Sequence, residues 1–277
     1  LDMFRNPKLS AAVYASQKTP RSPSDIVLEV SSSMALGDHP GGFAGACWVF
    51  TNAESVRLYR GNDFIAEFTP DRRGRFAALP HPPIEVQDFV GSLLEKYEGL
   101  DPVAAPQVAA ILNEMRRDAL ALSPLSRARL LSLRLGWNDL LRMYYKYIGV
   151  LGSPSSVYRF EAVWHGRAVR TVVKEPVQSV RLECTVLNPL LTDGPTWDCA
   201  AVSLRAIDQN GNLLPYCGEA VQLSVEGPIL GPSVVPLRGG MAGTYLATTG
   251  EAGRAVLHCK MEGALDTEAA LTVRKRG

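Results

Sequence analysis

The chain has 277 residues, of which 46% are hydrophobic and 21% charged, an ordinary globular balance with room for two domains and against disorder throughout. Its 29 basic and 28 acidic residues leave a formal net charge of +1, which gives no general electrostatic footprint for nucleic acid or an anionic membrane. No apolar run approaches the roughly 20 residues that a membrane-spanning helix needs, so no membrane partner is expected and the chain reads as soluble.

The first predicted element is a helix. Asn6 can cap it and Pro7 fits its first turn, and Leu9, Ala12, Val13 and Ser16 then share one face that calls for a cover. The next stretch, KTPRSPSD over 18–25, reads as a linker and offers no such cover. The chain starts without an initiator Met or a signal peptide, so its natural start is expected upstream, with residues 1–24 as the end of a preceding domain.

From Ile26 to Pro83 the pattern is one of short strands, IVLEV, ACWVFTN, SVRLYR and FIAEF, rich in β-branched and aromatic residues. In SVRLYRGNDFIAEF, Val56 and Leu58 alternate with Arg57 and Tyr59, and Gly61-Asn62 supplies the reversal of a hairpin. Between Asp88 and Tyr147 the period changes to three and four, as in Val108, Leu112 and Met115, and about three helices are expected. Strands return in SSVYRFEAVWHGRAVRTVVK, with His165-Gly166 at the turn, so the helices read as an insertion at about 88–147 into one sandwich spanning 25–175. After Glu175-Pro176 about seven short strands spaced by Pro and Gly predict a second, immunoglobulin-like β-sandwich over 176–277. The expected class is therefore mainly β.

Chemistry-bearing motifs are scarce. The chain lacks HExxH, GxSxG, a Walker lysine loop and a dinucleotide fingerprint, and no cofactor is implied. His258 and Cys259 are adjacent, but neighbours on a strand point to opposite faces, so they are not expected to share a metal. Asp208-Gln209-Asn210-Gly211-Asn212 has the oxygen spacing of a calcium loop without its later glutamate, and hairpin-turn chemistry explains it better. Trp48, Trp137, Trp164 and Trp197, with Tyr144, Tyr145 and Tyr147, could stack on sugars, although aromatics at such spacing are usually core. Asp38 and His39, in the glycine-rich stretch 37–42, are the candidate carbohydrate-binding residues, with a simple chain reversal as the competing reading. Five cysteines without a CxxC pair argue against a disulfide scaffold and favour a reducing, cytoplasmic setting.

Several segments taken in order resemble the glycoside hydrolase family 2 enzymes, which include β-galactosidases and β-glucuronidases. The opening DMFRNPKLSAAVYASQ is similar to the segment that closes that family's catalytic (β/α)₈ barrel. VLEVSSSMALGDHPGG, VRLYRGNDFIAEF, FAALPHPPIEVQDFVG, YYKYIG, YRFEAVWHGRAVRTVVK, AIDQNGNLLPY and GPILGPSVVPLRGGMAGTYLATTGEAGRAVL follow in the order of the two domains after the barrel. Asn6-Pro7-Lys8 superficially matches the Asn-x-Lys carboxylate grip of the glucuronidases, but it falls at the helix start, which weakens a glucuronidase reading.

The resemblance implies a non-catalytic C-terminal part of a β-galactosidase-like retaining exo-glycosidase. The two catalytic glutamates would lie upstream of Leu1, so no catalytic residue is assigned here and this chain alone is expected to be inactive. Its implied partners are its own upstream barrel and, for the parent enzyme, a β-linked carbohydrate, with a homo-oligomer possible in principle. Two other classes compete: a stand-alone carbohydrate-binding sandwich, and a pair of immunoglobulin-like adhesion domains.

Overall fold

A computed structural model describes residues 2–34, 45–149 and 156–276. The chain divides into two compact units that are interleaved in sequence: one comprises residues 9–176, the other residues 177–276 together with residues 2–8.

The larger unit starts with helix α1 (Leu9–Ala15) and a 3-10 turn (Pro23–Asp25) within the expected linker. Its strands are β1 (Leu28–Val30), β2 (Cys47–Thr51), β3 (Ser55–Arg60), β4 (Asp63–Phe68) and β5 (Ile84–Val86). Four helices follow, α2 (Leu93–Glu98), α3 (Ala104–Arg117), α4 (Pro124–Ser132) and α5 (Trp137–Tyr147), before the hairpin of β6 (Tyr158–Trp164) and β7 (Arg167–Lys174). The strands form two antiparallel sheets, ordered β1-β2-β5 and β4-β3-β6-β7.

The alternation in SVRLYR works as read: Val56 and Leu58 are fully buried, and Arg57 and Tyr59 face outward. The reversal before β4 uses Gly61 at φ +57°, and the turn before β7 uses His165 and Gly166, both at positive φ, as a two-residue hairpin with right-handed strand twist demands. Inner residues of both sheets join one core with the inserted helices. In α3, Val108, Ile111, Leu112 and Met115 recur on one face and all are completely buried. Helix α4 begins where Ser123 accepts a hydrogen bond from the Ser126 amide at 3.2 Å with Pro124 in the first turn, and α2 ends at Gly99 in the left-handed region.

Three expectations change. The insertion holds four helices where about three were expected, because six-residue α2 is too short to show a period. Asn6 does not cap a helix: α1 starts only at Leu9, and the Asn6 side chain is engaged elsewhere. The cover for α1 lies within the chain, since the helix rests against β1 and β2, and Gln17 beyond it exchanges hydrogen bonds with the His81 backbone at 2.9 and 3.1 Å.

The smaller unit contains β8 (Val180–Leu187), β9 (Leu190–Asp193), β10 (Cys199–Ile207), β11 (Ala220–Glu226) and β12 (Ile229–Leu230). It continues with β13 (Val234–Pro236), β14 (Met241–Thr248), β15 (Gly253–Met261), β16 (Ala264–Leu265) and β17 (Thr267–Lys275). Two five-stranded sheets, β12-β14-β10-β8-β16 and β13-β11-β15-β17-β9, supply a common core of Val202, Leu204, Leu246, Val221, Leu257 and Leu271 among others. This is the mainly β sandwich that the sequence predicts. The seven expected strands are all present; β9, β12 and β16, of two to four residues, are the additional ones and lie at sheet edges.

The Asp208–Asn212 segment is a turn. The Asp208 carboxylate accepts the backbone amides of Asn210 and Asn212 at 2.9 and 2.8 Å and the Asn212 side-chain amide at 2.8 Å, so turn chemistry occupies the ligand that a calcium ion would use.

Candidate functional site

The two candidate carbohydrate-binding residues, Asp38 and His39, lie outside the described residues. Within them, two built features stand out: a polar groove on the larger unit and a docked segment on the smaller one.

The groove, about 680 Å³, lies between β5 and helices α2 and α3 and is lined by Glu85, Asp88, Glu95, Asn113, Glu114 and Arg116 among others. Its carboxylates invite comparison with the acid–base pair of a glycosidase, but much of its polar wall is used to hold the fold. Asp88 accepts the Asn113 amide at 2.7 Å and the backbone amides of Val90 and Gly91 at 2.9 and 3.1 Å. Asn113 in turn accepts the Phe89 amide at 3.0 Å and donates to the Ala109 carbonyl at 2.9 Å.

Gly91 permits this close turn. It sits at φ +52°, and a Cβ there would stand 2.6 Å from the Ile65 carbonyl oxygen. Arg116 donates to the Gly45 carbonyl at 2.7 Å and lies 4.4 Å over the Phe89 ring; burial pulls its guanidinium below the ordinary value. Burial would raise the Glu114 carboxyl, but hydrogen bonds from Ser126 and Ser123 outweigh it and hold the group low. An acid catalyst needs the opposite shift. Among the described residues no group of three His, Cys, Asp or Glu side chains could hold a metal ion.

The second feature was not legible from the sequence. Residues 2–6 form a tight loop in which the Asp2 carboxylate accepts the amides of Phe4 and Asn6, both at 2.8 Å, and the Asn6 side chain at 2.9 Å. Burial pushes the Asp2 carboxyl up, but these hydrogen bonds and nearby Lys8 more than offset it, so its pKa falls below the usual range. The loop is pinned on the sheet of β10 and β14. Asn6, completely buried, donates to the Ala242 carbonyl at 3.0 Å and accepts the Ser203 hydroxyl. Phe4 packs against Tyr245 with ring centroids 5.4 Å apart and planes tilted by 49°, and lies directly on Gly243, where a Cβ would stand 2.1 Å from the ring. Ser203 and Gly243 are partners in the β10–β14 register, so the loop reads one cross-strand pair.

The aromatic candidates divide. Tyr144 and Tyr147 are core, and Trp48 is half-buried with its edge against Phe76, at 5.8 Å and 89°. Trp137, Tyr145 and Trp197 are exposed, Trp197 at 68%. His258 and Cys259 point to opposite faces as expected: His258 meets Glu268 at 2.9 Å on the outer face, and Cys259 enters the core.

No family model matches the chain. Among curated proteins it is 24% identical over 245 residues to a β-galactosidase of Thermoanaerobacterium thermosulfurigenes, covering 87% of this chain and 26% of that protein. It is 25% identical over 261 residues to a β-galactosidase of Thermoanaerobacter pseudethanolicus, covering 94% and 28%. A stretch of 62 residues is 42% identical to a β-galactosidase of Rhizobium radiobacter, covering 22% of this chain and 45% of that protein. The chain thus spans about a quarter of the length of the first two relatives.

Two solved structures share the fold across 99% of this chain. One is a β-glycosidase from Bacteroides vulgatus, with TM-score 0.57, 11% identity and 27% of that chain covered. The other is a β-glucuronidase from glycoside hydrolase family 2, with TM-score 0.52, 13% identity and 22% covered. The fold is thus that of domains found in glycoside hydrolase family 2 enzymes. By sequence the chain is a homologue of the β-galactosidases, consistent with a C-terminal region of that family.

Proposed function

We propose that this chain is the non-catalytic C-terminal part of a β-galactosidase-like glycoside hydrolase, its two units supporting a catalytic (β/α)₈ barrel carried on another part of the polypeptide. The observation that carries the reading is the similarity to curated β-galactosidases over nearly all of this chain but only about a quarter of theirs. The structure supports it from the side of chemistry: the carboxylates Asp88 and Glu114 of the groove are bound into the fold, and Glu114 is held ionised. In the whole enzyme two glutamates would act by the retaining mechanism, one as nucleophile and one as acid and base, on a β-linked galactoside. Residues 2–6 fit a structural role, since they pack on β10 and β14 within the smaller unit.

The test is hydrolysis of chromogenic aryl β-galactosides, β-glucuronides and β-mannosides by the product of the complete reading frame, with the 277-residue chain as control. Galactoside cleavage by the longer protein and none by the control is the expected result. Cleavage by the 277-residue chain itself would refute the non-catalytic assignment, and inactivity of both on every substrate would refute the family function.

A further inference from the structure

The two sheets of the smaller unit differ in their outward faces. On β11, β15 and β17 the outward residues include Gln222, Ser224, Arg254, His258, Lys260 and Thr272, the polar pattern of an antiparallel sheet with one side in water. The outward face of β12, β14, β10 and β8 carries two apolar rows instead. In one, Leu230 pairs with Ala247 and Ala247 with Cys199; in the next, Tyr245 pairs with Ala201 and Ala201 with Leu187. Leu230 is 55% exposed, Tyr245 is 47% exposed, and Cys199 is an exposed free thiol. The same strands bury their alternate residues, Val202, Leu204 and Leu246 among them, so the sheet is apolar on both sides here. The row after these two is the one that residues 2–6 cover: Phe4 lies on Gly243, and Asn6 accepts the Ser203 hydroxyl.

We propose that the two bare rows are a docking surface for the polypeptide that precedes residue 1 in the whole protein, the part that carries the catalytic barrel; this occupant rests on the function proposed above. Three observations select it. The chain spans about a quarter of the length of the β-galactosidases it is similar to, which leaves a parent protein ample polypeptide to cover the face. The docked loop of residues 2–6 lies beside the Tyr245 row, so the bare rows continue a contact that the same stretch of chain has begun. A segment joined to that loop reaches the face at high effective concentration, without the cost of bringing in a separate molecule. Finally, Leu230, Ala247, Cys199, Tyr245, Ala201 and Leu187 carry no charge, so the face offers apolar area to a protein surface and nothing that attracts a charged ligand.

Cys199 is a native probe of this face. The experiment follows its alkylation by iodoacetamide, read by peptide mass spectrometry, in the product of the complete reading frame and in the 277-residue chain. Both proteins carry S224C as a reference thiol on the polar outward face of the other sheet. In the 277-residue chain the two thiols should react at similar rates. In the complete protein Cys199 should react more slowly by about tenfold or more, at every protein concentration, while the S224C thiol keeps its rate. L230E, which puts a carboxylate into the covered face, should restore alkylation of Cys199 in the complete protein and lower its Tm by several degrees, without moving the Tm of the 277-residue chain. Equal Cys199 rates in the two proteins overturn the proposal. So does protection of Cys199 in the 277-residue chain, which would grow with concentration if a second copy covers the face and stay constant if the chain covers it by itself. Glycoside hydrolysis by the same samples separates this proposal from the functional one. An active complete protein with Cys199 freely alkylated keeps the family function and loses the docking surface. A complete protein inactive on every glycoside, with Cys199 protected, keeps the docking surface and loses the catalytic role of its occupant.

Discussion

Asn6 is buried with both ends of its amide engaged, to Asp2 and Ala242 through its nitrogen and to Ser203 through its oxygen. N6A would leave the Ser203 hydroxyl and the Ala242 carbonyl without this partner, a change that costs about 1 to 3 kcal/mol when the groups stay dry. Urea unfolding of the smaller unit, followed by a probe in its core, should show the loss; a midpoint within error of wild type would mean that water replaces the amide. G243A tests the same contact from the sheet side, because the added methyl lies where the Phe4 ring now sits. Either the ring is expelled or the strand shifts, and overpacking of this kind costs about 1 to 3 kcal/mol. The expected signature is earlier proteolytic cleavage within residues 2–8 without unfolding of the rest. None of this was legible in the sequence. Asn6-Pro7 reads locally as a helix cap, and the residues that outcompete the cap lie about 200 positions away at Ser203 and Ala242.

At the scale of elements, the helical insertion is held by its apolar face and by charged contacts, Lys96 and Tyr97 to Asp63 of β4 and a knot around Glu98. Glu98, at the end of α2, accepts Lys146 at 2.7 Å, Arg142 at 2.9 Å and the Tyr147 hydroxyl at 2.8 Å, all from α5. The Lys146 hydrogen bond leads in depressing its pKa to about 2; burial opposes, and the Tyr147 and Arg142 bonds add to the depression. A folded pKa below the unfolded one means that the contribution to stability is complete above about pH 4.5 and is lost as the pH falls through about 2.

Because Arg142 and Lys146 are themselves about half exposed, screening discounts the shift, and E98Q is expected to cost about 1 to 2 kcal/mol at pH 7. The difference between wild type and E98Q should shrink steadily between pH 5 and pH 2. A difference independent of pH would show that the charge does not matter. The helical period made α3 and α5 readable, since Val108, Leu112 and Met115 repeat over several turns. The partner of Glu98 was not, because the ion pairs span more than 40 residues and any solvated glutamate has the same local pattern. The two-residue strands β12 and β16 were equally invisible, being defined only by the neighbours they pair with.

For the whole molecule, the sequence pattern changes near Glu175-Pro176, but nothing in it gives the interleaving of the two units. The smaller unit is discontinuous: its sheets come from residues 177–276, and one of its contacts comes from residues 2–8, before the entire larger unit in sequence. That topology makes a prediction which a simple two-domain tandem does not. A fragment of residues 177–277 contains both sheets and the complete core of Val202, Leu246 and Leu257, so it should fold. It should nevertheless be less stable than the same unit in the full chain, by about 2 to 4 kcal/mol, the combined worth of the Phe4 contact and the buried Asn6 hydrogen bonds.

A synthetic peptide of residues 1–8, added in excess, should recover part of that difference by binding only the folded fragment, with a rise in Tm that saturates with peptide concentration. The same peptide carrying N6A should recover less, and G243A in the fragment should abolish the response. If the fragment is already as stable as the unit in the full chain, the docked loop follows the sandwich without supporting it. The stability loss expected for N6A would then reflect only the burial of unpaired groups.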